Sequence, residues 1–349
     1  MRAEQSRAEQ SRAEQSRAEQ SRAEQSRAEQ SRAEQSRYLY AVKAVAALLV
    51  VVLHLKVNSA LLNGISRCAV LTFFMISGYY TSIDSQDIQN ILVKRIERLL
   101  KILLSASSIY LLKDLVFLAI HHQSVSLYLV EEFSAYRILK MLIFDDSLIR
   151  QHLGFIVAMI YLYFVLILSD KYGVQNRIVQ FQMPLITILF IANLLIGEIP
   201  HLIGYDTPVC FSRNWLITGM PAFLLGNHIH KNNKNHSRYF VIVLCILGIV
   251  ESWMAFRIIG KGDTYFGSIL VAYVLVYGVR LFSKIRCVAL SYIGSTCSLF
   301  IYLYHILIGE ILTGVRHRVM IVYISCIILS LIYNRIFRII KKYGKRALE

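Results

Sequence analysis

From Tyr38 to Phe337 the chain is laid out as ten apolar segments, at about 38–57, 67–83, 99–120, 153–169, 183–199, 215–230, 239–256, 265–282, 291–312 and 319–337, with polar connections between them. A helix needs about 20 apolar residues to cross roughly 30 Å of hydrocarbon, and the segments repeatedly approach that length. The pattern predicts an all-α, polytopic membrane protein of about ten transmembrane helices. The connection at about 121–152 holds a further apolar patch, Ile138 to Phe144, too short to span and charged on both flanks. It is expected to lie in the interface.

Ahead of these segments, residues 2–36 are seven copies of Arg-Ala-Glu-Gln-Ser, closed by Arg37. A period of five matches neither 3.6 nor 2, so the repeat can form no apolar face and bury no core. Glu4 and Arg7, and the same pair in each later copy, stand three residues apart on good helix formers, so a solvated helix is the expectation. Perfect identity of the copies points to DNA slippage. The five-base unit GAGCA, read in triplets, translates as Glu-Gln-Ser-Arg-Ala. Gain or loss of one unit would shift the frame and switch expression, whereas a fifteen-base duplication would only change the tail length. The expected organisation is a repeat tail at 1–37, a membrane domain at 38–340 and a basic tail at 341–349.

Composition agrees with the segments. Of 349 residues, 56% are hydrophobic and only 17% charged, with a mean hydropathy of +0.51, outside the range of soluble domains. Lys and Arg outnumber Asp and Glu by 38 to 22. In a soluble protein that excess would suggest nucleic acid. Here it sits beside apolar segments, as topology charge does, and no nucleic-acid partner is expected. An even number of segments puts both ends on one side. The connections on that side carry Lys94, Arg95 and Arg98, then Lys171 and Arg177, then Lys231, Lys234 and Arg238, then Lys284 and Arg286. The tail adds Arg335, Arg338, Lys341, Lys342, Lys345 and Arg346, whereas the 121–152 connection holds Glu131, Glu132, Asp145 and Asp146. The positive-inside rule places both termini in the cytosol. The first apolar run lacks a cleavage site and is expected to remain as a signal anchor. The six cysteines are scattered, and neither a disulfide framework nor a metal site is expected.

Ionisable groups inside a membrane helix cost about 2.5–3.5 kcal/mol at its centre, so each needs a reason. Lys43 and His54 are eleven residues apart, three turns plus about 20°, and share one face about 16 Å apart. The bland reading lets Lys43 snorkel to headgroups and leaves His54 at the outer interface. The functional reading makes His54 a general base lining a cavity, since an imidazole suits proton removal from a hydroxyl near neutral pH. In Phe73-Phe74-Met75-Ile76-Ser77-Gly78-Tyr79-Tyr80, Ser77 and Gly78 allow close helix approach. Lys94, Arg98 and Lys101 recur at i, i+4 and i+7 with Arg95 nearby. Such a basic face fits phosphates, topology charge or anionic headgroups equally well.

Taken in order, these pieces resemble the acyltransferase 3 family of integral membrane acyltransferases, whose bacterial members include O-acetyltransferases of lipopolysaccharide, capsule and other glycans. Lys43 and His54 match its first-helix pattern of a basic residue, ten residues and His. Phe73 to Gly78 match its FFxxSG-like run, and Lys94 and Arg98 its RxxxR motif with Lys in first place. Ser291-Tyr292-Ile293-Gly294 followed by Ile301-Tyr302-Leu303-Tyr304-His305 match its late Tyr-Leu-x-His run. Arg213-Asn214-Trp215-Leu216, Pro221 to Gly226, and His152-Leu153-Gly154-Phe155 are similar as well, with Gly154 where many members carry Trp. The likeness spans about residues 37–340. Lys94 gives up bidentate phosphate geometry, and the Pro that often follows the basic run is missing at Lys101-Ile102.

The resemblance implies a membrane O-acyltransferase of the bacterial inner membrane that takes acetyl-CoA, or another acyl-CoA, as donor substrate, with no bound cofactor. It would acylate a hydroxyl of a glycan or lipid-linked saccharide. His54 and Lys43 are then the catalytic candidates; Lys94, Arg95 and Arg98 would hold the donor, and Ser77, Gly78, Arg213, Asn214 and His305 would line the acceptor cavity. A secondary transporter or lipid-linked glycan flippase would also suit ten helices with intramembrane charges, though no segment pair shows clear inverted symmetry. An inactive sensor on the same fold is a third possibility.

Overall fold

In the computed structural model the backbone is described for residues 2–55, 57–232, 235–260, 262 and 264–346, and the side chains within those stretches from residue 29 to residue 341. The predicted basic side chains Lys234, Lys342, Lys345 and Arg346 lie outside these. Among the described residues there is no strand. The helices are, in order, α1 (Arg2–Leu55), α2 (Ala60–Ser66), α3 (Cys68–Tyr79), α4 (Ile88–Ile120), α5 (Val125–Glu132), α6 (Ala135–Phe144), α7 (Gly154–Lys171), α8 (Gln175–Gln180) and α9 (Gln182–Ile196). There follow α10 (Glu198–Leu202), α11 (Val209–Ser212), a π turn (Trp215–Gly219), α12 (Met220–Lys231), α13 (Arg238–Ile259), α14 (Phe266–Tyr277), α15 (Val279–Phe282), α16 (Val288–Thr296), α17 (Ser298–Ile311) and α18 (Arg318–Arg346).

Each of the ten apolar segments is largely helical, but they do not all make spans of equal standing. Among the described residues, seven helices are long and apolar enough to cross a membrane, and the pair α16 and α17, bent by 72° at Cys297, makes an eighth if taken as one. Segment 265–282 breaks between α14 and α15, and segment 215–230 opens in a π turn before the 12-residue α12. At 1.5 Å per residue, 12 residues cover only about 18 Å. Polar Asn227, His228, His230 and Lys231 fill the end of α12, which is why its apolar length runs out. By contrast α4 has 33 residues, about 50 Å of helix. Its first turns, with Lys94, Arg95 and Arg98, therefore extend beyond the hydrocarbon.

The repeat is helical and runs without a break into the first span. Its last copy is docked: the Tyr79 hydroxyl donates to Gln35 Oε1 at 3.1 Å, and Ser291 Oγ donates to the Arg37 carbonyl at 2.8 Å. The expected interfacial helix is α6. Its cations turn toward the protein, Arg137 pairing with Glu132 and Lys140 with Asp146, both at 2.7 Å, while Tyr136, Leu139 and Ile143 are exposed. An apolar stripe turned outward beside tethered charges suits a helix lying in the interface.

The main core joins α1, α3, α4, α7, α9, α12, α13 and α14. At its centre α3 and α12 touch backbone to backbone. A Cβ on Gly78 would collide with the Phe223 carbonyl, and one on Gly226 with the Met75 carbonyl. Small residues are favoured where membrane helices gain packing energy by close approach. Gly78→Val should force α3 and α12 apart and destabilise the protein by about 1–3 kcal/mol or more, read as a lowered unfolding temperature in detergent. Gly173→Val, where an added side chain meets open space although φ is +68°, should cost less.

Candidate active site

His54 sits in the last turn of α1, and residues from 67–74, 144–158, 210–218, Thr264 and Tyr302 close around it. They enclose a cleft of about 980 Å³, open mouth included, lined by His54, Arg67, Phe73, Phe74, Asp145, Asp146, His152, Arg213, Asn214 and Tyr302 among others. Val50, Leu53 and His54 are the contributions of α1. The cleft therefore occupies the His54 end of the first span, remote from Lys43.

Three imidazoles converge there. The ring of His54 lies 5.0 Å from that of His305 and 6.1 Å from that of His152, and the latter two are 5.4 Å apart. His305 is fully buried in α17. Its Nδ1 is 3.0 Å from the carbonyls of both Ile301 and Tyr302. His152, in the short 3-10 turn Gln151–Leu153 that leads into α7, points Nε2 at the Leu303 carbonyl, 3.2 Å away. That carbonyl also accepts the Tyr110 hydroxyl at 2.9 Å, while the Leu307 N–H donates to the same hydroxyl at 3.3 Å. Tyr110 thus bridges one turn of α17, as side chains do where they enter a helix ladder. The Tyr302 hydroxyl in turn donates to the His152 carbonyl. A carbonyl only accepts, so each of these ring nitrogens carries the proton. Nε2 of His305 and Nδ1 of His152 are left as lone pairs, buried and without a hydrogen-bond partner.

Charge enters from two arginines. Arg67 and Arg213 both act electrostatically on His54, and Arg213 also acts on Asp145. Asp145 ends α6 in the left-handed region, φ 51°, with its Oδ1 accepting the Trp215 N–H at 2.9 Å. Burial pushes its carboxyl up to about 8, with Asp146 adding to the rise and the Trp215 N–H and Arg213 opposing it. Asn214 is spent on structure: Oδ1 caps the π turn through the Leu216 and Ile217 N–H groups at 3.0 and 2.9 Å, and Nδ2 donates to the Cys210 and Phe211 carbonyls.

The other predicted site residues lie elsewhere. Ser77 returns its hydroxyl to the Phe73 carbonyl at 2.8 Å, and Gly78 serves the α3–α12 contact. Neither lines the cleft, although their neighbours Phe73 and Phe74 do. His305 stands behind His54 rather than in the wall. Lys43 lies near the opposite end of the span, where the Arg98 charge acts on it. Lys94 and Arg98 are exposed, whereas Arg95 is tied to Thr81 Oγ1 at 2.5 Å and to the Tyr80 carbonyl at 3.0 Å, with Tyr163 beneath its guanidinium.

His152, Arg67 and Asp145 line the cleft without having been singled out as site residues. The available signal was position: Arg67 and His152 stand at the starts of segments 67–83 and 153–169, and Asp145 follows the apolar patch Ile138 to Phe144, all on the side predicted for His54. No three His, Cys, Asp or Glu groups among the described residues are arranged to hold a metal.

A family model for an acyltransferase domain matches residues 36–338. No curated protein and no solved structure matches the chain.

A buried acid raised this far is neutral in the fold near neutral pH but ionised in the unfolded chain. Between the ordinary carboxylate value near 4 and about 8, the folded state binds more protons, so stability falls as pH rises. Asp145→Asn keeps the acceptor for Trp215 and removes the titration. Unfolding temperatures taken across this pH window should fall more steeply for the wild type than for the variant. Parallel curves would mean that Asp145 is ionised in place.

Proposed function

Because the chain belongs to the acyltransferase 3 family, we propose that this multi-pass membrane acyltransferase moves an acetyl group from acetyl-CoA to a hydroxyl of a cell-surface glycan or its lipid-linked precursor at the bacterial inner membrane. The observation that carries this reading is the half-buried His54 imidazole on a cleft wall, with Arg67 and Arg213 acting on it. His54 takes the proton of the acceptor hydroxyl as its oxygen attacks the thioester carbonyl. The tetrahedral intermediate places negative charge on the former carbonyl oxygen, which a guanidinium in the cleft wall can stabilise. Collapse breaks the C–S bond, and the CoA thiolate leaves with the proton that His54 held.

Donor and acceptor meet from opposite ends. Lys94 and Arg98 are free at the exposed start of α4 to pair with CoA phosphates, with Lys43 next along the route through its proximity to Arg98. Arg95 contributes by holding the end of α3 to α4. Both termini then lie in the cytosol, and the cleft opens on the far side, where the glycan approaches among membrane lipids.

Replacing His54 by Gln should lower transfer by about 10²–10⁴-fold, because Gln cannot accept a full proton. The assay follows labelled acetyl-CoA into the glycan fraction of membranes carrying the full chain. In the same assay, Lys94→Gln with Arg98→Gln should raise the KM for acetyl-CoA more than that for the acceptor. His54→Gln within about threefold of wild type would remove the base. Saccharide flipping by purified protein without acyl-CoA would favour the flippase instead.

The repeat supports frame switching of expression. Sequencing of sibling clones should find its length changing in steps of five bases; changes confined to multiples of fifteen would end the idea.

A further inference from the structure

Among the described residues, no hydrogen bond fixes the ring of His54. A base needs one: an imidazole presents a lone pair to its substrate only when the opposite nitrogen holds the proton, and it holds that tautomer only when the N–H has an acceptor. In many enzymes a carboxylate supplies the acceptor. Here the groups acting electrostatically on His54 are the imidazoles of His152 and His305 and the guanidinium groups of Arg213 and Arg67, with no carboxylate among them.

His305 has the required properties. Its Nδ1–H is committed to the carbonyls of Ile301 and Tyr302, both at 3.0 Å, so Nε2 is a lone pair. That nitrogen is buried and unpartnered, on a residue 0% exposed. Rings with centroids 5.0 Å apart can bring nitrogen to nitrogen at roughly 2.7–3.2 Å by small side-chain rotations. The rival acceptor, Nδ1 of His152, is equally buried and unpartnered, but its ring stands 6.1 Å from that of His54, against 5.0 Å for His305. His305 lies outside the cleft wall and meets His54.

We propose that His305 is the positioning residue of His54: its Nε2 accepts one ring N–H of His54 and so turns the other nitrogen of His54, as a lone pair, toward the acceptor hydroxyl. The inference rests on His54 being the base. When His54 takes the hydroxyl proton it becomes an imidazolium with two N–H bonds. The one to His305 is retained, and the other goes to the departing thiolate, so His305 gains and loses no proton. A neutral imidazole suits this task inside a membrane helix. A carboxylate at the same place would be a charge deep in a protein surrounded by hydrocarbon, costly to desolvate.

The test uses membranes carrying the full chain and labelled acetyl-CoA, with kcat normalised to the amount of folded protein. His305→Met fills similar space without an acceptor at the Nε2 position, and should lower kcat by about 30-fold or more while the KM for acetyl-CoA stays within about twofold. His305→Gln can offer Oε1 at that position and should stay within about fivefold of wild type. A His305→Met protein within about threefold of wild type, a loss carried by KM, or equal impairment of the Met and Gln variants would each overturn the proposal. The His54→Gln arm separates the two readings: if it is inactive while His305→Met is unimpaired, only the positioning role falls, and if it is active, both fall.

Discussion

The contact on which the site depends is the meeting of α1 and α16 without any side chain between them. A Cβ on Gly294 would fall on the Tyr40 carbonyl, so the two backbones lie as close as helices can. From the other side Tyr323 of α18 donates its hydroxyl to the Ala44 carbonyl at 3.1 Å. With α1 clamped around Tyr40 and Ala44, helix geometry alone fixes where the His54 turn emerges. The 72° bend after α16 then swings α17 across α1. Ser298 Oγ donates to the Gly294 carbonyl at 2.6 Å across that bend. The same clamp that holds α1 thereby sets His305 behind His54.

Inside hydrocarbon such an arrangement survives only if polar groups find partners within the protein. The bent α17 supplies most of them. Its carbonyls at Ile301, Tyr302 and Leu303 take the ring N–H groups of His305 and His152, and Tyr110 ties the Leu303–Leu307 turn. Two imidazole lone pairs remain without partners in an otherwise satisfied cluster. Uncompensated buried acceptors cost about 1–3 kcal/mol each, and such costs tend to be retained where chemistry uses the group.

Helix, membrane and family were legible in the sequence because they rest on run length, charge bias and motif order, all local properties. His54 drew notice as an ionisable group in a membrane segment, its spacing from Lys43 left two readings open, and the resemblance favoured the functional one; the structure places it on a cleft wall. The count of spans was not, since hydropathy does not register that 215–230 starts in a π turn or that 265–282 breaks at Gly278. Gly78 does serve close helix approach, whereas Ser77 bonds back to its own helix, and the motif context of the two suggested a cavity. Packing decides between these, and Phe223 occupies the space in front of Gly78. His305 looked like a wall residue because sequence cannot tell which of two histidines on crossing helices stands in front. The triangle with His152 joins residues about 100 and 150 positions apart in the chain, a relation that only tertiary structure creates.

The repeat gains a definite meaning from where it docks. Gln35 and the Arg37 carbonyl belong to the last copy and its closing residue, and they are engaged by Tyr79 and Ser291; the acyltransferase match begins at residue 36. Because all copies are identical, inserting or removing a whole copy leaves the same residues at the docking position. The helix ahead of it only grows or shrinks by five residues, about 7.5 Å. Whole copies, fifteen bases each, can therefore be gained or lost without changing either the docked residues or the reading frame. A fifteen-base slip would leave these contacts in place, whereas the frame switching proposed above needs slips of five, and the first is harmless only because a period of five gives the tail no apolar face to bury.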